Sequence, residues 1–380
     1  MAKKRGKGEG SIRQRPDGRW EARYTYRQGY KSESKSIYGK TQEEVRKKLQ
    51  KVLADINYGA HIEDTKITVG AWLEIYLNDI KKLSIKQSTH NNYSGLYRHL
   101  KDAPISKIPL KSLRADDIQK FINDKSKTDL SARSIKHIHT FLRAALEQAV
   151  KQDLIVKNVA KMVTLPKIPK YERRILSVEE QASLVKVLDT EDMGFAILFC
   201  LMTGLRRGEL FGLRWSDVDF KTGRISINQS LARLKCEDGK SRLIFGTPKT
   251  KSSVRTIPLL PELVIKLKAH QKRQIEKRFK LGDKWQQNDL VFCSEFGTPY
   301  DPNNLKRPLT RLTERAGITE YIGIHALRHT FATRALENGI PLKVVSEMLG
   351  HSSIAMTADI YSHVSFDLME NEIQKLSALM

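Results

Sequence analysis

Along the first sixty residues the apolar positions alternate. In Trp20-Glu21-Ala22-Arg23-Tyr24-Thr25-Tyr26 the aromatic and small side chains fall on one face and Glu21, Arg23 and Thr25 on the other. That is the two-residue period of a strand with one covered face. Pro16-Asp17-Gly18 before it and Arg27-Gln28-Gly29 after it have turn composition, and a third strand through Lys31 to Ile37 completes a small sheet. The period then lengthens. Thr41 and Glu44 have capping-box spacing, and Val45, Leu49, Val52, Leu53 and Ile56 make a helical stripe able to cover one sheet face. From about Thr65 to Leu165 helical spacing continues, with Trp72, Ile75, Tyr76 and Ile80 on one face and Ile138, Phe141, Leu142, Ala145 and Ala149 on another.

Leu165-Pro166-Lys167-Ile168-Pro169-Lys170 is kept extended by its prolines and reads as a linker. Beyond it, Gly194 to Leu213 reads as a buried helix broken near Thr203-Gly204. Ile225 to Asn228, Arg242 to Gly246 and Val254 to Pro258 read as short antiparallel strands, and helices dominate from Pro261 onward. A chain of 380 residues exceeds one ordinary core. The expected fold is multidomain: a three-stranded sheet plus helix over 1–60, an all-α domain over 65–165, and an α+β domain over 171–380.

Charge sharpens the picture. The formal net charge is +24, and residues 1–51 alone hold sixteen Lys and Arg against six Asp and Glu. Such an excess repels itself unless a polyanion neutralises it, and nucleic acid is the leading partner. The uncovered face of the first sheet then fits a major-groove reader, with Arg13, Arg23, Arg27 and Lys31 as its candidate DNA contacts. The helical segment holds 18 Lys and Arg against 9 Asp and Glu, which suits either a grip on a duplex backbone or a solvated α domain.

Several classes drop out. Three widely spaced cysteines, Cys200, Cys236 and Cys293, with no C-x-x-C pair support neither a disulfide framework nor a cysteine zinc site, and fit a reducing cytosol. The basic start MAKKRGKGEG runs into polar residues and is no secretory signal, and no window approaches the ~20 apolar residues of a membrane helix. The triplets Gly39-Lys40-Thr41 and Gly239-Lys240-Ser241 lack the glycine five residues upstream that a P-loop needs, having Ser34 and Leu234 there.

The stretch Ile324-His325-Ala326-Leu327-Arg328-His329-Thr330-Phe331 places two histidines and an arginine at helical spacing on one face. A zinc-protease helix with this His spacing carries glutamate directly after the first histidine, and here that residue is Ala326. The intervening guanidinium suits an oxyanion such as phosphate rather than a dication. No metal and no cofactor is expected.

Five segments in order resemble the tyrosine recombinases, the phage-integrase family of DNA strand-transfer enzymes: "TGLRRGEL" (203–210), "TPKTKSSVRTIPL" (247–259), "IHALRHTF" (324–331), "MLGHSSI" (348–354) and "MTADIYSHV" (356–364). The resemblance implies Arg206, Lys249, His325, Arg328 and His351 as catalytic residues, Tyr361 as nucleophile, and Glu209 as an orienting carboxylate. Arg207 and Lys251 stand as alternates to Arg206 and Lys249. Two arginines offer permanent bidentate compensation for charge growing on a scissile phosphate, and a phenol is a competent nucleophile once deprotonated. The reaction this implies is metal- and ATP-free cleavage through a 3′-phosphotyrosine, with strands exchanged via a Holliday junction.

The amino-terminal sheet and helix resemble the arm-type DNA-binding domain of integrases from conjugative transposons and some temperate phages, and residues 65–165 the core-binding domain. The partners implied are double-stranded DNA at crossover core sites and accessory arm sites, a homo-tetramer on DNA, and excision or bending factors. The location implied is cytoplasmic, on the bacterial nucleoid, with no membrane. One departure is Asn158-Val159 where the family often has Asn-Pro. The tail residues Met369, Ile373, Leu376 and Met380 have helical spacing, suited to docking on a neighbouring protomer or on the chain's own domain. The rival readings are a non-catalytic DNA-binding regulator on the same fold, a type IB topoisomerase, and a zinc hydrolase on His325 and His329.

Overall fold

The computed structural model describes residues 10–28, 31–57, 67–169, 174–236, 238–247 and 254–361, with the backbone alone at 26–28, 31, 54–57 and 359–361. The chain divides into two compact units, Met1–Pro169 and Lys170–Met380. The division falls at the proline-bearing linker.

The first unit opens with an antiparallel sheet of β1 (Ser11–Gln14), β2 (Trp20–Gln28) and β3 (Lys31–Gly39) in that spatial order. Helix α1 (Gln42–Asn57) covers it, burying Val45 and Leu49 against Ala22 and Tyr24. Its start follows the capping logic with one change. Thr41 Oγ1 accepts from Glu44 N–H at 3.2 Å, while the Glu44 carboxylate reaches back to Lys40 N–H at 2.9 Å. On the open face Arg13 donates to Glu21 from Nε and Nη2, each at 2.7 Å, and Arg15 lies over the Tyr38 ring.

A separate helical core follows: α2 (Val69–Ile75) running into a π-helical turn Tyr76–Lys81, then α3 (Gln87–Lys101), α4 (Ala115–Ser126) and α5 (Ala132–Lys151). Its buried face along α2 is Val69, Trp72, Leu73, Tyr76 and Leu77, whereas Ile75 stays 36% exposed. Trp72 Nε1 donates to the Ala145 carbonyl at 2.8 Å, tying α2 to α5. Asn158, followed by Val159, caps the next turn itself. Its Oδ1 accepts from Ala160 N–H, and its Nδ2 donates to the Arg143 carbonyl and to Glu147.

The second unit is α+β. Helices α6 (Val178–Leu188), α7 (Gly194–Thr203) and α8 (Arg207–Gly212) precede a sheet ordered β4 (Val218–Asp219), β5 (Arg224–Ile227), β8 (Arg255–Pro258). Between β5 and β8 lies a hairpin, β6 (Ser230–Lys235) with β7 (Ser241–Gly246). The sequence pattern missed β6 because Leu231 is its one fully buried side chain. Helices α9 (Pro261–Leu281), α10 (Lys306–Arg315), α11 (Ile324–Glu337), α12 (Leu342–Leu349) and α13 (Ala355–Tyr361) complete it. No helix among the described residues is long and apolar enough to cross a membrane.

Candidate active site

The site begins at the break between α7 and α8. Every residue of α7 except Met202 is buried, and the helix ends at Gly204 with φ +64°, the left-handed conformation that favours glycine. A Cβ there would meet Leu349 Cδ2 and Phe331 Cδ1 at 2.6 Å. The turn aims the Gly204 carbonyl at Arg328 and puts Arg206 at the N-cap of α8. Glu209, in the first turn of α8, closes back on Arg206, accepting from its N–H at 3.0 Å and from Nη1 at 2.7 Å. The apolar pattern that breaks at Thr203-Gly204 therefore builds one arginine and its carboxylate in a single turn.

Arg328 enters from α11. It is 5% exposed and donates from Nη1 to the Gly204 carbonyl and from Nη2 to the Leu349 carbonyl, both at 2.7 Å. Arg206 Nη2 donates to the Gly350 carbonyl at 2.9 Å, and Arg255, at the start of β8, donates from Nε to the Met348 carbonyl at 2.6 Å. Three consecutive carbonyls at the end of α12 thus each receive a different arginine. These oxygens have no partners within an ideal helix and sit at the negative end of its dipole, so cations are favoured there.

The field is strongly positive around one carboxylate. Burial alone would raise the Glu209 carboxyl, but the bonds and charge of Arg255, and then those of Arg206, hold it below its ordinary value. Burial, then the Arg206 charge, pushes Arg328 down to about 9, which leaves it a cation at neutral pH. His325 is lowered by burial and then by Arg328, Arg207 and Arg206. His351 is lowered to about 4 by burial and then by Arg328 and Arg206, and its Nδ1 lies 2.8 Å from Thr357 Oγ1. Both imidazoles are neutral at working pH, and their surroundings repel a dication while attracting an anion. Helix α13, which ends at Tyr361, packs against α11 and α12.

Residues 174–367 match the phage integrase family, and residues 68–126 match the phage integrase N-terminal SAM-like domain. A tyrosine recombinase XerC-like protein of Caldanaerobacter subterraneus subsp. tengcongensis is 33% identical over 91% of this chain and 92% of its own length. The chain belongs to the phage integrase family of tyrosine recombinases. The transposase of transposon Tn916 from Enterococcus faecalis is 25% identical, covering 88% of this chain and 83% of that one. Among solved structures, the Tn1549 transposon integrase in complex with transposon right end DNA superposes with a TM-score of 0.69 at 24% identity, over 82% of this chain and 99% of that one. A lambda integrase dimer bound to a core site superposes at 0.55 and 20% identity, over 94% and 96%. At those identities the likeness speaks for the fold.

In this tyrosine recombinase Arg206, Glu209, Arg328, His325 and His351 are brought together by the ends of α7, α8, α11 and α12. Of the neighbouring pair, Arg206 is the one bonded to Glu209 and Gly350. Lys249 and Lys251 lie outside the described residues, in the segment between β7 and β8, as does the Tyr361 side chain. The tail residues Met369 to Met380 lie outside them too. In the amino-terminal sheet the register pairs Arg13 with Glu21, Ser11 with Arg23 and Arg27 with Ser32, so Arg13, Arg23 and Arg27 hold positions of one parity. Lys31, paired with Gln28, holds the parity of Ile37 on the strand. Arg255 is the site residue that motif reading passed over. Its signal was alternation on β8, where it shares the inward parity of buried Ile257.

Proposed function

We propose that this recombinase integrates and excises a mobile element by breaking and rejoining DNA through a covalent 3′-phosphotyrosine. The observation that carries the reading is the convergence of Arg206 and Arg328 on the adjacent carbonyls of Gly350 and Leu349. The Tyr361 oxygen attacks the scissile phosphorus, its proton passing to His325, and the bond from phosphorus to the 5′-oxygen breaks as Lys249 protonates that oxygen. Arg206 and Arg328 compensate the charge that grows on the non-bridging oxygens. Thr357 donating to His351 Nδ1 would leave the proton on Nε2, the form that hydrogen-bonds a phosphate oxygen. A 5′-hydroxyl from another strand then attacks the phosphotyrosine, returning the phenol and resealing DNA without metal or ATP.

The mobile-element context is supported by relatives described as transposases of Tn916 and Tn1545 and as an integrase of ICEBs1. A lambda integrase tetramer is known on a Holliday junction, and a homo-tetramer on core sites is the assembly proposed here. Residues 1–60 would bind accessory arm sites through Arg13, Arg23 and Arg27, which share one face of the sheet, whereas Lys31 holds the parity of the face that α1 covers; residues 65–165 would grip the core site, and residues 171–380 would cut it. Bending or excision factors would act beside it on the bacterial nucleoid in the cytoplasm.

The test is a nicked suicide duplex carrying element ends, incubated with protein and EDTA and resolved on a denaturing gel. A covalent band that survives EDTA in wild type and vanishes in Tyr361→Phe is expected. Retention of the duplex with no covalent band would instead favour a DNA-binding regulator.

A further inference from the structure

We propose that Arg255 is a positioning residue of strand cleavage: it shares the Glu209 carboxylate with Arg206, so that Arg206 keeps net positive charge for the phosphate. The inference rests on the reading of this site as a phosphodiester-cleaving centre. Arg255 sits at the first position of β8, opposite Ile227, with its side chain 7% exposed. It is closed off from solvent and does not itself meet DNA. Its Nη2 donates to Glu209 Oε2 at 2.9 Å and its Nη1 to Oε1 at 3.2 Å, while Nε donates to the Met348 carbonyl at 2.6 Å. One guanidinium therefore joins the carboxylate that orients Arg206 to the helix end that carries His351.

The charge arithmetic gives the function. Arg206 and Glu209 alone form a neutral pair, in which the carboxylate would cancel the cation offered to the phosphate. With Arg255 the group of three carries one net positive charge, and Glu209 becomes a shared ligand that fixes Arg206 without silencing it. Burial makes this matter, because in a site of low local dielectric an uncompensated carboxylate beside the reacting phosphate opposes the charge that builds there. Lysine in place of Arg255 would keep the charge, but a single ammonium lacks the fork that reaches both carboxylate oxygens and a carbonyl on the far side.

The experiment compares full-length wild type, Arg255→Met, Arg255→Lys, Glu209→Gln and the Arg255→Met/Glu209→Gln double variant. The substrates are nicked duplexes of element ends that wild type retains in a gel shift. Single-turnover rates of covalent complex formation are read beside duplex affinity and thermal melting. Arg255→Met is expected to cleave about tenfold or more slowly with duplex affinity within about threefold of wild type, since binding is spread over many phosphate contacts. Arg255→Lys should lie between them. The double variant should recover several-fold over Arg255→Met, because removing the stranded carboxylate relieves the cancellation, a coupling that a merely structural defect would not show. Arg255→Met cleaving at the wild-type rate, or a double variant no faster than Arg255→Met, would overturn the inference. Should Arg255→Met not fold, a wild-type rate in Arg255→Lys overturns it and an intermediate rate supports it. Absence of a covalent band in wild type itself would instead bring down the cleavage reading, and the inference with it.

Discussion

Arg328 donates a 2.7 Å hydrogen bond from Nη2 to the carbonyl of Leu349, so a buried catalytic candidate is held by the main chain at a helix end. Its other arm is fixed on Gly204, also at 2.7 Å. Arg328→Lys keeps a cation but can satisfy only one of these carbonyls with comparable geometry, and leaving a buried acceptor unmet costs about 1–3 kcal/mol. We expect unfolding free energy to drop by that amount in urea titration, and covalent complex formation to fall by about a hundredfold or more. Cleavage by Arg328→Lys at the wild-type rate would show that the fork is dispensable.

Gly204 is constrained twice, by its φ of +64° and by Leu349 and Phe331 at 2.6 Å from any Cβ. Gly204→Ala should therefore destabilise the catalytic unit by about 2–4 kcal/mol, adding left-handed strain to overpacking. Because the displaced peptide carries the oxygen that receives Arg328, cleavage should suffer beyond the loss of folded protein. An unchanged urea midpoint would mean that the turn has room that the geometry denies.

Acid should weaken the fold through the histidines. His351 has an ordinary value of 6.5, lowered to about 4 in the folded protein. Between those values the unfolded chain takes up a proton that the folded site refuses, so stability declines as pH falls from about 6.5 and this contribution levels off below about 4. His325 shifts in the same direction. Glu209, lowered in the fold, adds its own loss on further acidification. Melting temperature against pH should slope downward toward acid in wild type and less steeply in His351→Asn. Equal slopes would place the titration elsewhere.

In the amino-terminal sheet, Arg13 is 71% exposed while its partner Glu21 is 7% exposed. The carboxylate holds the Nε edge of the guanidinium and leaves Nη1 to a ligand. If Arg23, exposed on the same sheet, contacts an arm-site phosphate, Arg23→Ala should reduce the slope of log affinity against log salt by about 0.9 on accessory-site duplexes. A slope equal to that of wild type would remove Arg23 from the phosphate contacts.

Much of this molecule was legible from its pattern. The broken helix at Thr203-Gly204 and the strand-to-helix change near Thr41 follow from local chemistry and appear where expected. What the pattern missed came from tertiary context. The apolar spacing puts Ile75 on the core face, yet that face is built from Val69, Trp72, Leu73, Tyr76 and Leu77 with Ile80 packed against it, and Ile75 is left at its edge. Leu73→Ala should accordingly cost about 2–5 kcal/mol, whereas Ile75→Ala should cost well under half of that. Equal effects in denaturant titration would restore the simple period. Arg255 stayed hidden for a different reason: a lone arginine at the start of a strand looks like surface charge until Glu209 and Met348 are seen around it.

The three carbonyls at the end of α12 separate what can vary from what cannot. Met348, Leu349 and Gly350 hold their arginines through main-chain oxygen. The wiring of the centre is therefore indifferent to side-chain identity at 348, but not to the path of the chain. A designer changing which DNA this enzyme accepts could vary the side chain at 348 while keeping the buried Leu349 and the left-handed Gly350 that hold the curl of the backbone. Insertion or deletion of a single residue there would disconnect three cations at once.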